Sequence, residues 1–506
     1  MDTPFPLHLL RPTAPPQPPD SPLTSPLHSF STTATTSLID TLAATTITLN
    51  VTPYDPALWL SRARTLQALG YSELALADAW KSGLLCANGL AKLDAAAAGR
   101  QRWSLGMGRG FWMRDEDGED CAEIERPLFE RLRDQGDGFA RQLMPWDMAR
   151  QERQGWYVPQ PYSWLVEEHA KRGEGVVAEI NAGLQAGEAQ RPDGRGAWLD
   201  CRPCVFPTVG DSKALTEDAL GLFATCDIPA NTLILRDTSE IFGCTGRNGV
   251  IPSQHKMLPA LCLSENHPNL PTDPASSNLI WLLCPQNGTL SDPSATLLLL
   301  RALLSSLSTH GSHTSPLSQA PLARLKTAYH ALEPRPFTLA DISTPFLYLQ
   351  SQGLNLYTPP ATTLFAPWVL FTLMARLDNN LWSAPSSVCL GTLFCMLNHS
   401  CEANARWSMD QEGCRSLGVW IKGAVMMAEE VTVEYDEFAS GLGVWERRER
   451  FGRWIERGCG CGRCIRESGE KGIEERAGRR DEHEGDDEKF EWKGTVDTEA
   501  AAGVFW

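Results

Sequence analysis

The chain has 506 residues, a length that accommodates two or three domains of ordinary size. Its 42% hydrophobic and 21% charged residues are typical of a soluble globular protein. The formal net charge of −17 argues against sequence-independent binding of nucleic acid, which requires a basic face.

Cysteine content and hydrophobicity indicate the cellular compartment in which the protein is found. Fifteen cysteines are scattered without a compact framework, which favours a reducing compartment over a secreted disulfide scaffold. The N-terminus lacks the basic start and apolar stretch of a signal peptide. The most apolar window, from Ala295 to Leu307, contains Arg301 and is shorter than the roughly 20 residues that span a bilayer. We therefore predict a nuclear or cytoplasmic protein with no membrane partner and no direct nucleic-acid partner.

The first part of the chain is predicted to start disordered and continue helical. Residues 1–35 contain nine prolines and a Ser/Thr cluster, a composition that buries too little apolar surface to offset the entropy of folding. Residues 36–195 are predicted to be mostly helical. Within them, Trp59, Gly70 and Ala75 have the spacing of a helix, a glycine turn and a second helix. This unit resembles one tetratricopeptide (TPR) repeat, which implies a partner-binding surface. A plain helical hairpin explains the same spacing, because TPR units need about three copies to build a continuous core.

A strand pattern follows near Trp198. The segments Gly221–Thr225 and Asp227–Leu235 predict a strand, a turn and a second strand. Asn231 lies in the second segment, and asparagine tolerates the left-handed conformation that a tight turn requires.

Residues 244–375 are predicted to form an insertion that is loop-like at first and helical later. The helical segments are Leu297–Leu307 and Leu322–Leu332. Three cysteines of the insertion lack the Cys-x2-Cys pairs of a zinc module, and we expect them to be buried apolar residues. They are Cys244, Cys262 and Cys284.

The chemistry concentrates in the C-terminal part. The apolar run 393–397 leads into the string Asn-His-Ser-Cys at 398–401. A β-branched strand is predicted at 431–434, and it ends at Tyr435. A glycine-rich loop then carries the pattern Cys-x-Cys-x2-Cys, formed by Cys459, Cys461 and Cys464. Three thiolates on a tight loop supply all but one of the ligands that tetrahedral zinc needs. Free surface thiols and an iron–sulfur site are the alternative interpretations.

In this order, the C-terminal motifs resemble the second half of a SET domain with its post-SET tail, and the stretch near 218–236 resembles the opening SET motif. Members of that family transfer methyl groups from S-adenosylmethionine to lysine side chains of proteins. The resemblance implies an α+β fold. It consists of a β-rich SET domain of short sheets with a pseudoknot at 196–455, interrupted by the helical insertion, and a zinc-bound post-SET segment at 456–465. Residues 466–506 hold thirteen acidic and seven basic side chains, and we predict a disordered acidic tail.

The resemblance also implies roles for individual residues. Tyr435 is the expected catalytic residue. The expected cofactor-binding residues are Gly221, Leu222, Phe223, Asn380, Asn398, His399 and Tyr435. The expected ligands of a structural zinc ion are Cys401, Cys459, Cys461 and Cys464. Amide and imidazole groups suit a cofactor with adenine and amino-acid ends, because they donate and accept hydrogen bonds.

The predicted function is that of an S-adenosylmethionine-dependent protein-lysine N-methyltransferase. Its substrate would be a protein with an accessible lysine, such as a histone tail, and the helical N-terminal region would bind a partner. The chain departs from the family at Ala219, where a glycine is usual, and at Arg457, where an aromatic residue is usual. These departures motivate an alternative, a SET-fold adaptor that keeps zinc and has lost catalysis. The SET–MYND relatives carry a zinc-bound MYND module in the region of the insertion, and no such module is recognisable here.

Overall fold

The computed structural model describes most of the helical and strand regions of the chain. The described residues are 32–97, 120–148, 151–158, 162, 175–189, 191–204, 219–239, 241–244, 293–319, 321–326, 335–384, 387–409, 416–452, 454–455 and 458–469. The predictions for the first 31 residues, for 470–506, for the early insertion at 245–292 and for Arg457 lie outside these ranges. Within them, no helix has both the length and the apolar character needed to cross a membrane.

The elements are numbered in chain order. The helices are α1 (Thr32–Val51), α2 (Pro56–Ala68), α3 (Ser72–Ala97), α4 (Asp120–Leu143), α5 (Gly175–Gly183), α6 (Pro293–His310), α7 (Leu339–Ser351), α8 (Ala361–Leu364), α9 (Pro367–Asn380), α10 (Val444–Phe451) and α11 (Gly462–Ser468). The strands are β1 (Trp146–Asp147), β2 (Glu152–Arg153), β3 (Gly155–Tyr157), β4 (Leu199–Pro203), β5 (Leu220–Ala224), β6 (Leu233–Thr238), β7 (Phe242–Cys244), β8 (Arg335–Phe337), β9 (Trp382–Ala384), β10 (Ser387–Cys389), β11 (Asn398–His399), β12 (Ala405–Met409), β13 (Ser416–Ile421) and β14 (Glu430–Val433).

The chain divides into two compact units. Unit 1 comprises Met1–Val176 and Glu240–Asn380, and unit 2 comprises Val177–Ser239 and Leu381–Trp506. Unit 1 is mainly helical, whereas unit 2 is built on small sheets. This mixture of helices and small sheets is consistent with the α+β class.

Unit 1 contains the helix–turn–helix at Gly70. Helix α2 is capped by Asp55, whose carboxylate accepts a hydrogen bond of 2.8 Å from the backbone N–H of Ala57. Such a cap satisfies a donor that the first helical turn leaves unpaired. Gly70 has a φ of 86°, a left-handed conformation that glycine adopts without steric strain, and α3 begins two residues later. The hairpin is therefore present, and its membership of the TPR class remains a prediction.

A buried lysine lies in the core of unit 1. The Lys81 ammonium is 4.5 Å from the ring centroid of Trp59, 5.2 Å from that of Phe346 and 5.9 Å from that of Tyr357. Its Nζ donates a hydrogen bond of 3.4 Å to the carbonyl of Leu356. Burial lowers the pKa of Lys81 to about 7, because removal from water disfavours the charged form.

Unit 2 contains a four-stranded sheet in the order β11–β14–β5–β4. Strand β14 lies inside this sheet, parallel to β11 and antiparallel to β5. A second sheet has the order β12–β13–β6, and β9 pairs with β10 as an antiparallel hairpin. The parallel pairing places Asn398 opposite Thr432 and His399 opposite Val433. The sheet thereby brings the Asn-His-Ser-Cys string beside the strand that leads to Tyr435.

The strand–turn–strand prediction is confirmed. Strand β5 corresponds to the first predicted strand, and β6 starts at Leu233, after the turn predicted at Asn231. Asn231 has a φ of 62°, so the preceding residues form a turn that ends at a left-handed asparagine. The predicted helix at 297–307 lies within α6. The helix predicted from Leu322 is a short 3₁₀ turn at Leu322–Arg324, and the chain at 327–334 lies outside the described residues.

Candidate active site and metal centre

Tyr435 is held at the end of β14 by two hydrogen bonds to the neighbouring chain segment. Its hydroxyl donates to the carbonyl of Leu397 at 3.2 Å. Its backbone N–H donates to Nδ1 of His399 at 3.1 Å. Both partners belong to the segment that enters or forms β11, so the position of the tyrosine ring is tied to the Asn-His-Ser-Cys string.

Aromatic side chains surround the Tyr435 ring. Trp382 meets it edge-on with ring centroids 5.3 Å apart, and Trp454 does so at 6.3 Å. The indole of Trp407 packs against Trp382 at 5.2 Å, and its Nε1 donates to the carbonyl of Glu434 at 2.9 Å. These rings create an apolar wall around one hydroxyl group. Such surroundings favour the neutral form of an amine, because an ammonium ion loses its hydration there.

Asn398 directs its amide nitrogen into the sheet. Its Nδ2 donates to Oε1 of Glu430 at 2.7 Å and to the carbonyl of Leu220 at 3.1 Å, and the sulfur of Cys204 lies 3.2 Å away. Among the residues that the structure describes, no donor contacts the Asn398 Oδ1. The nitrogen is therefore fixed by protein groups, while the oxygen is left to accept a hydrogen bond from a ligand.

Gly221 borders the same cluster. A Cβ atom at this position would lie 2.5 Å from Oε1 of Glu430, 3.1 Å from Nδ2 of Asn398 and 3.2 Å from the sulfur of Cys204. The absence of a side chain is thus required by close approach. Leu222 is fully buried in β5, and the ring of Phe223 is half-buried beneath the Arg202 guanidinium at 5.5 Å.

Glu430 and Cys204 belong to this cluster but are not among the predicted site residues. Burial raises the pKa of Glu430, which is consistent with a carboxyl group held inside a polar cluster. Strand periodicity contained a signal for Glu430, because it shares a face of β14 with Thr432, the residue paired with Asn398. For Cys204 the sequence carried no such signal.

The four predicted metal ligands converge. The sulfur atoms of Cys401, Cys459, Cys461 and Cys464 all lie within 4.8 Å of one another, and all four residues are buried. The Cys401 sulfur is 3.9 Å from that of Cys459 and 3.6 Å from that of Cys464. Four sulfurs placed tetrahedrally at a zinc–sulfur distance of about 2.3 Å are separated by about 3.8 Å. The spacing and chemistry of this cluster therefore fit a zinc ion.

The loop that carries these cysteines is shaped by local structure. Gly458 has a φ of 80°, and a Cβ atom there would lie 2.9 Å from side-chain carbons of Arg448. Cys461 is the residue before α11, which carries Cys464 on its first turn. Local folding thus sets the positions of three sulfurs, and the C-terminal end of β11 delivers the fourth.

Hydrogen-bond donors surround the thiol cluster. The fully buried Arg447 places Nη2 3.5 Å from the sulfur of Cys464 and 2.6 Å from Oε2 of Glu467. The backbone N–H of Cys461 donates to the sulfur of Cys459 at 3.5 Å. Hydrogen bonds from Cys401 and Cys459 lower the pKa of Cys461. Donors of this kind stabilise negative charge on sulfur, as a metal–thiolate centre requires.

His399 adjoins both the metal cluster and Tyr435. Its Nε2 is 3.2 Å from the sulfur of Cys401, and the residue is 2% exposed. Burial lowers the pKa of His399 to about 4, so the imidazole is neutral at pH 7.

Asn380 occupies a different environment. It ends α9 in unit 1, and its Nδ2 donates to the carbonyls of Arg376 at 2.7 Å and Lys326 at 2.8 Å. Its predicted contact with a cofactor remains a prediction. Ala219, the first of the two departures from the family pattern, is buried immediately before β5.

One part of the chain matches a known family model. Residues 219–436 match the family model described as the SET domain. This stretch is a SET domain. The match begins just before β5 and ends one residue after Tyr435, so it includes Asn398, His399 and Cys401. No curated protein matches the chain.

SET domains are generally those of protein-lysine methyltransferases. SET methyltransferases use S-adenosylmethionine and act on lysine side chains of proteins. The match does not extend to the helical N-terminal region or to the three cysteines after residue 436. The narrower SET–MYND or TPR grouping therefore remains a prediction.

Proposed function

We propose that the chain is an S-adenosylmethionine-dependent protein-lysine N-methyltransferase whose fold is completed by one structural zinc ion. The observation that carries this proposal is the pairing of β11 with β14 inside the SET domain. It brings together the amide of Asn398 on β11, the sulfur of Cys401 shortly after β11 and the hydroxyl of Tyr435 shortly after β14. A shared location is what a methyl-transfer site beside a structural metal requires.

The cofactor would lie against β5 and β11. Gly221, Leu222 and Phe223 would offer backbone groups, Asn398 its Oδ1 and His399 its backbone, and Asn380 is proposed as a further contact. When bound, S-adenosylmethionine supplies an electrophilic methyl group. The protein holds the Asn398 side chain in place through Glu430, so the amide is oriented before a ligand arrives.

The lysine amine must be neutral to attack a methyl group, although a free lysine has a pKa of about 10.4. The rings of Trp382 and Trp454 near Tyr435 would give the amine apolar surroundings and disfavour the ammonium form. The Tyr435 hydroxyl can accept a hydrogen bond from the amine while it donates to the carbonyl of Leu397. Tyr435 therefore orients the nucleophile without acting as a strong base.

The zinc ion would be structural because four sulfurs close its coordination shell and leave no position for substrate. Its ligands would come from the residue Cys401, which closely follows β11, and from the segment that begins at Gly458. Metal binding would fix that segment next to the SET strands, and the binding free energy would act as folding free energy.

The remaining parts of the proposal concern partners. The substrate would be a protein with an accessible lysine, with histone tails as one candidate, and the helical region of unit 1 would bind a further protein. The protein would act in the nucleus or the cytoplasm. The adaptor alternative is not favoured, because Asn398 and Tyr435 are both present with hydrogen-bonded side chains.

Two measurements on the full-length protein test the proposal. Isothermal titration with S-adenosylmethionine reports binding, and a radiolabelled assay on histones and cell extract reports transfer to protein. Tyr435→Phe should bind the cofactor like the wild type and lose about 100-fold in transfer rate, as expected when one oriented group is removed. Tyr54→Phe, in unit 1, is the matched control and should keep full activity. Cofactor binding without transfer to any protein would support the adaptor, and absence of cofactor binding would refute the methyltransferase.

A further inference from the structure

One imidazole ring spans the distance between the thiol cluster and Tyr435. The Nε2 of His399 is 3.2 Å from the sulfur of Cys401, and its Nδ1 is 3.1 Å from the backbone nitrogen of Tyr435. Both ring nitrogens are therefore used by protein groups. The side chain contacts a metal ligand at one end and the backbone of the predicted catalytic residue at the other.

The direction of these hydrogen bonds follows from the donors. The backbone nitrogen of Tyr435 carries a proton and donates it, so Nδ1 of His399 must be the unprotonated, accepting nitrogen. In a neutral imidazole the proton then resides on Nε2, which points at the sulfur of Cys401. A thiolate bound to zinc accepts such a hydrogen bond, and groups of this kind tune the ligand that they contact.

Packing keeps the ring in this orientation. The His399 ring centroid is 4.2 Å from that of Phe451 and 5.1 Å from that of Tyr435, and the residue is almost fully buried. Rotation of the ring would break both hydrogen bonds and disturb the aromatic contacts. A displacement of Cys401 would therefore be transmitted to the end of β14.

We propose that His399 is a positioning residue that couples occupancy of the four-cysteine metal centre to the placement of Tyr435. The proposal rests on the function proposed above, in which Tyr435 orients the lysine amine. It assigns the His399 side chain to protein contacts and leaves only its backbone to the cofactor. Loss of the metal would then loosen the active site even though the metal touches no substrate.

Two substitutions of His399 each remove one of its two side-chain hydrogen bonds, which form a bridge between Cys401 and the Tyr435 backbone. His399→Asn places an amide oxygen near the position of Nδ1, so it can still accept from Tyr435 but no longer reaches Cys401. His399→Gln places an amide N–H near the position of Nε2, so it can still donate to Cys401 but lacks the acceptor for Tyr435. A residue with a merely structural role would give the same defect in both variants.

The contact of His399 with Cys401 is tested by measurements that need neither cofactor nor substrate. Zinc affinity is measured by competition with a chromogenic chelator, and the thiolate environment is measured from the absorption spectrum of the cobalt-substituted full-length protein. His399→Asn should weaken zinc binding by about 10-fold to 100-fold and shift the thiolate-to-cobalt band. His399→Gln should remain close to the wild type in both measurements.

The hydrogen bond from the Tyr435 backbone N–H to His399 is tested by hydrogen exchange of the peptide that contains this amide. In the zinc-loaded wild type this amide should be protected, and removal of zinc should release it. His399→Gln should lose the protection while zinc stays bound, and His399→Asn at saturating zinc should keep it. Equal effects of the two variants, or unchanged protection after zinc removal, would overturn the proposal.

Methyl transfer gives the last readout and separates the two proposals. Both variants at saturating zinc should retain cofactor affinity, and His399→Gln should show the larger fall in kcat. If the zinc-loaded wild type transfers no methyl group, the proposed function fails. The zinc and hydrogen-exchange measurements still judge the bridge in that case, because neither requires activity.

Discussion

The two units each bury a polar centre, and the two centres are stabilised in opposite ways. In unit 1 the Lys81 ammonium is surrounded by aromatic faces and a backbone carbonyl, and Asp78 on the same helix pairs with Arg62 at 2.6 Å. In unit 2 four sulfur atoms lie together, with donors from Arg447 and His399 directed at them. Unit 1 thus satisfies its buried charge with its own side chains.

Among the described residues, Arg447 is the arginine that contacts a sulfur of the thiol cluster, at 3.5 Å from Cys464. Four thiolates would carry four negative charges, which one arginine would not neutralise. A divalent ion would supply the missing charge and the tetrahedral geometry together. The buried charge of unit 1 thus has its partners within the chain, whereas the thiol cluster of unit 2 would be completed by an ion from outside.

The largest expected effect breaks the unit 2 side of this comparison. Cys461→Ser removes one of four zinc ligands, and structural zinc contributes on the order of 10 kcal/mol to folding in small zinc-binding peptides. We expect metal content, measured by elemental analysis of the purified protein, to fall from one zinc per chain to almost none. Cys226→Ser, a cysteine outside the cluster, is the control. Unchanged zinc content in Cys461→Ser would refute the ligand set.

The second effect concerns the unit 1 side and depends on pH. The folded-state pKa of Lys81 is about 7, below its unfolded value of 10.5, so between these pH values the unfolded chain binds more protons. The unfolding free energy should therefore rise with pH in this window, by up to about 1.4 kcal/mol per pH unit. Lys81→Met should abolish that contribution. Urea titrations of the full-length protein that follow the unfolding of unit 1 at pH 7 to 9.5 test this. Burial also lowers the pKa of the less buried Lys92, so Lys92→Met should keep most of the slope. An unchanged slope in Lys81→Met would contradict the account of this centre.

A smaller effect tests the cofactor side of unit 2. Gly221→Ala inserts a Cβ atom 2.5 Å from Oε1 of Glu430, which must shift and release the Asn398 amide. Overpacking of this kind costs about 1–3 kcal/mol, so affinity for S-adenosylmethionine should fall by about 5-fold to 140-fold in isothermal titration. Gly423→Ala is the matched control, because no atom lies within 4 Å of its added Cβ. Equal affinities of the two variants would remove Gly221 from the cofactor site.

The smallest effect marks where the thiol centre ends. Glu402, next to Cys401, forms an ion pair with Arg466 at the surface, where both side chains are at least half exposed. Exposed pairs contribute little, because water and salt screen them. Glu402→Gln should therefore leave zinc content and thermal unfolding unchanged. A clear loss of zinc in this variant would extend the centre beyond the buried shell.

The sequence predicted those parts of the site that are local in the chain. Cys459, Cys461 and Cys464 occur within six residues and have a ligand spacing that geometry explains, and the string at 398–401 is continuous. Cys401 could be added to the ligands only through the family resemblance. The sequence between Cys401 and Cys459 does not determine how far apart the two side chains lie in the folded protein. The structure brings all four together.

The missed features depend on pairing between distant segments. Glu430 and Cys204 reach Asn398 only because β5 and β11 both lie next to β14 in one sheet. The two-sided role of His399 could not be predicted for the same reason, since Tyr435 and Cys401 approach it from different directions. Likewise, the spacing of Trp59 predicted a helical hairpin, but Phe346 and Tyr357, which complete the surroundings of Lys81, come from a distant part of the chain.

The most direct measurement is zinc K-edge X-ray absorption on the purified full-length protein. We predict four sulfur atoms at about 2.3 Å from the metal and no nitrogen in the first shell. That result would place His399 outside the coordination shell, where it can donate to Cys401. A shell of three sulfurs and one nitrogen at about 2.0 Å, or a protein that binds no zinc, would contradict the four-cysteine centre.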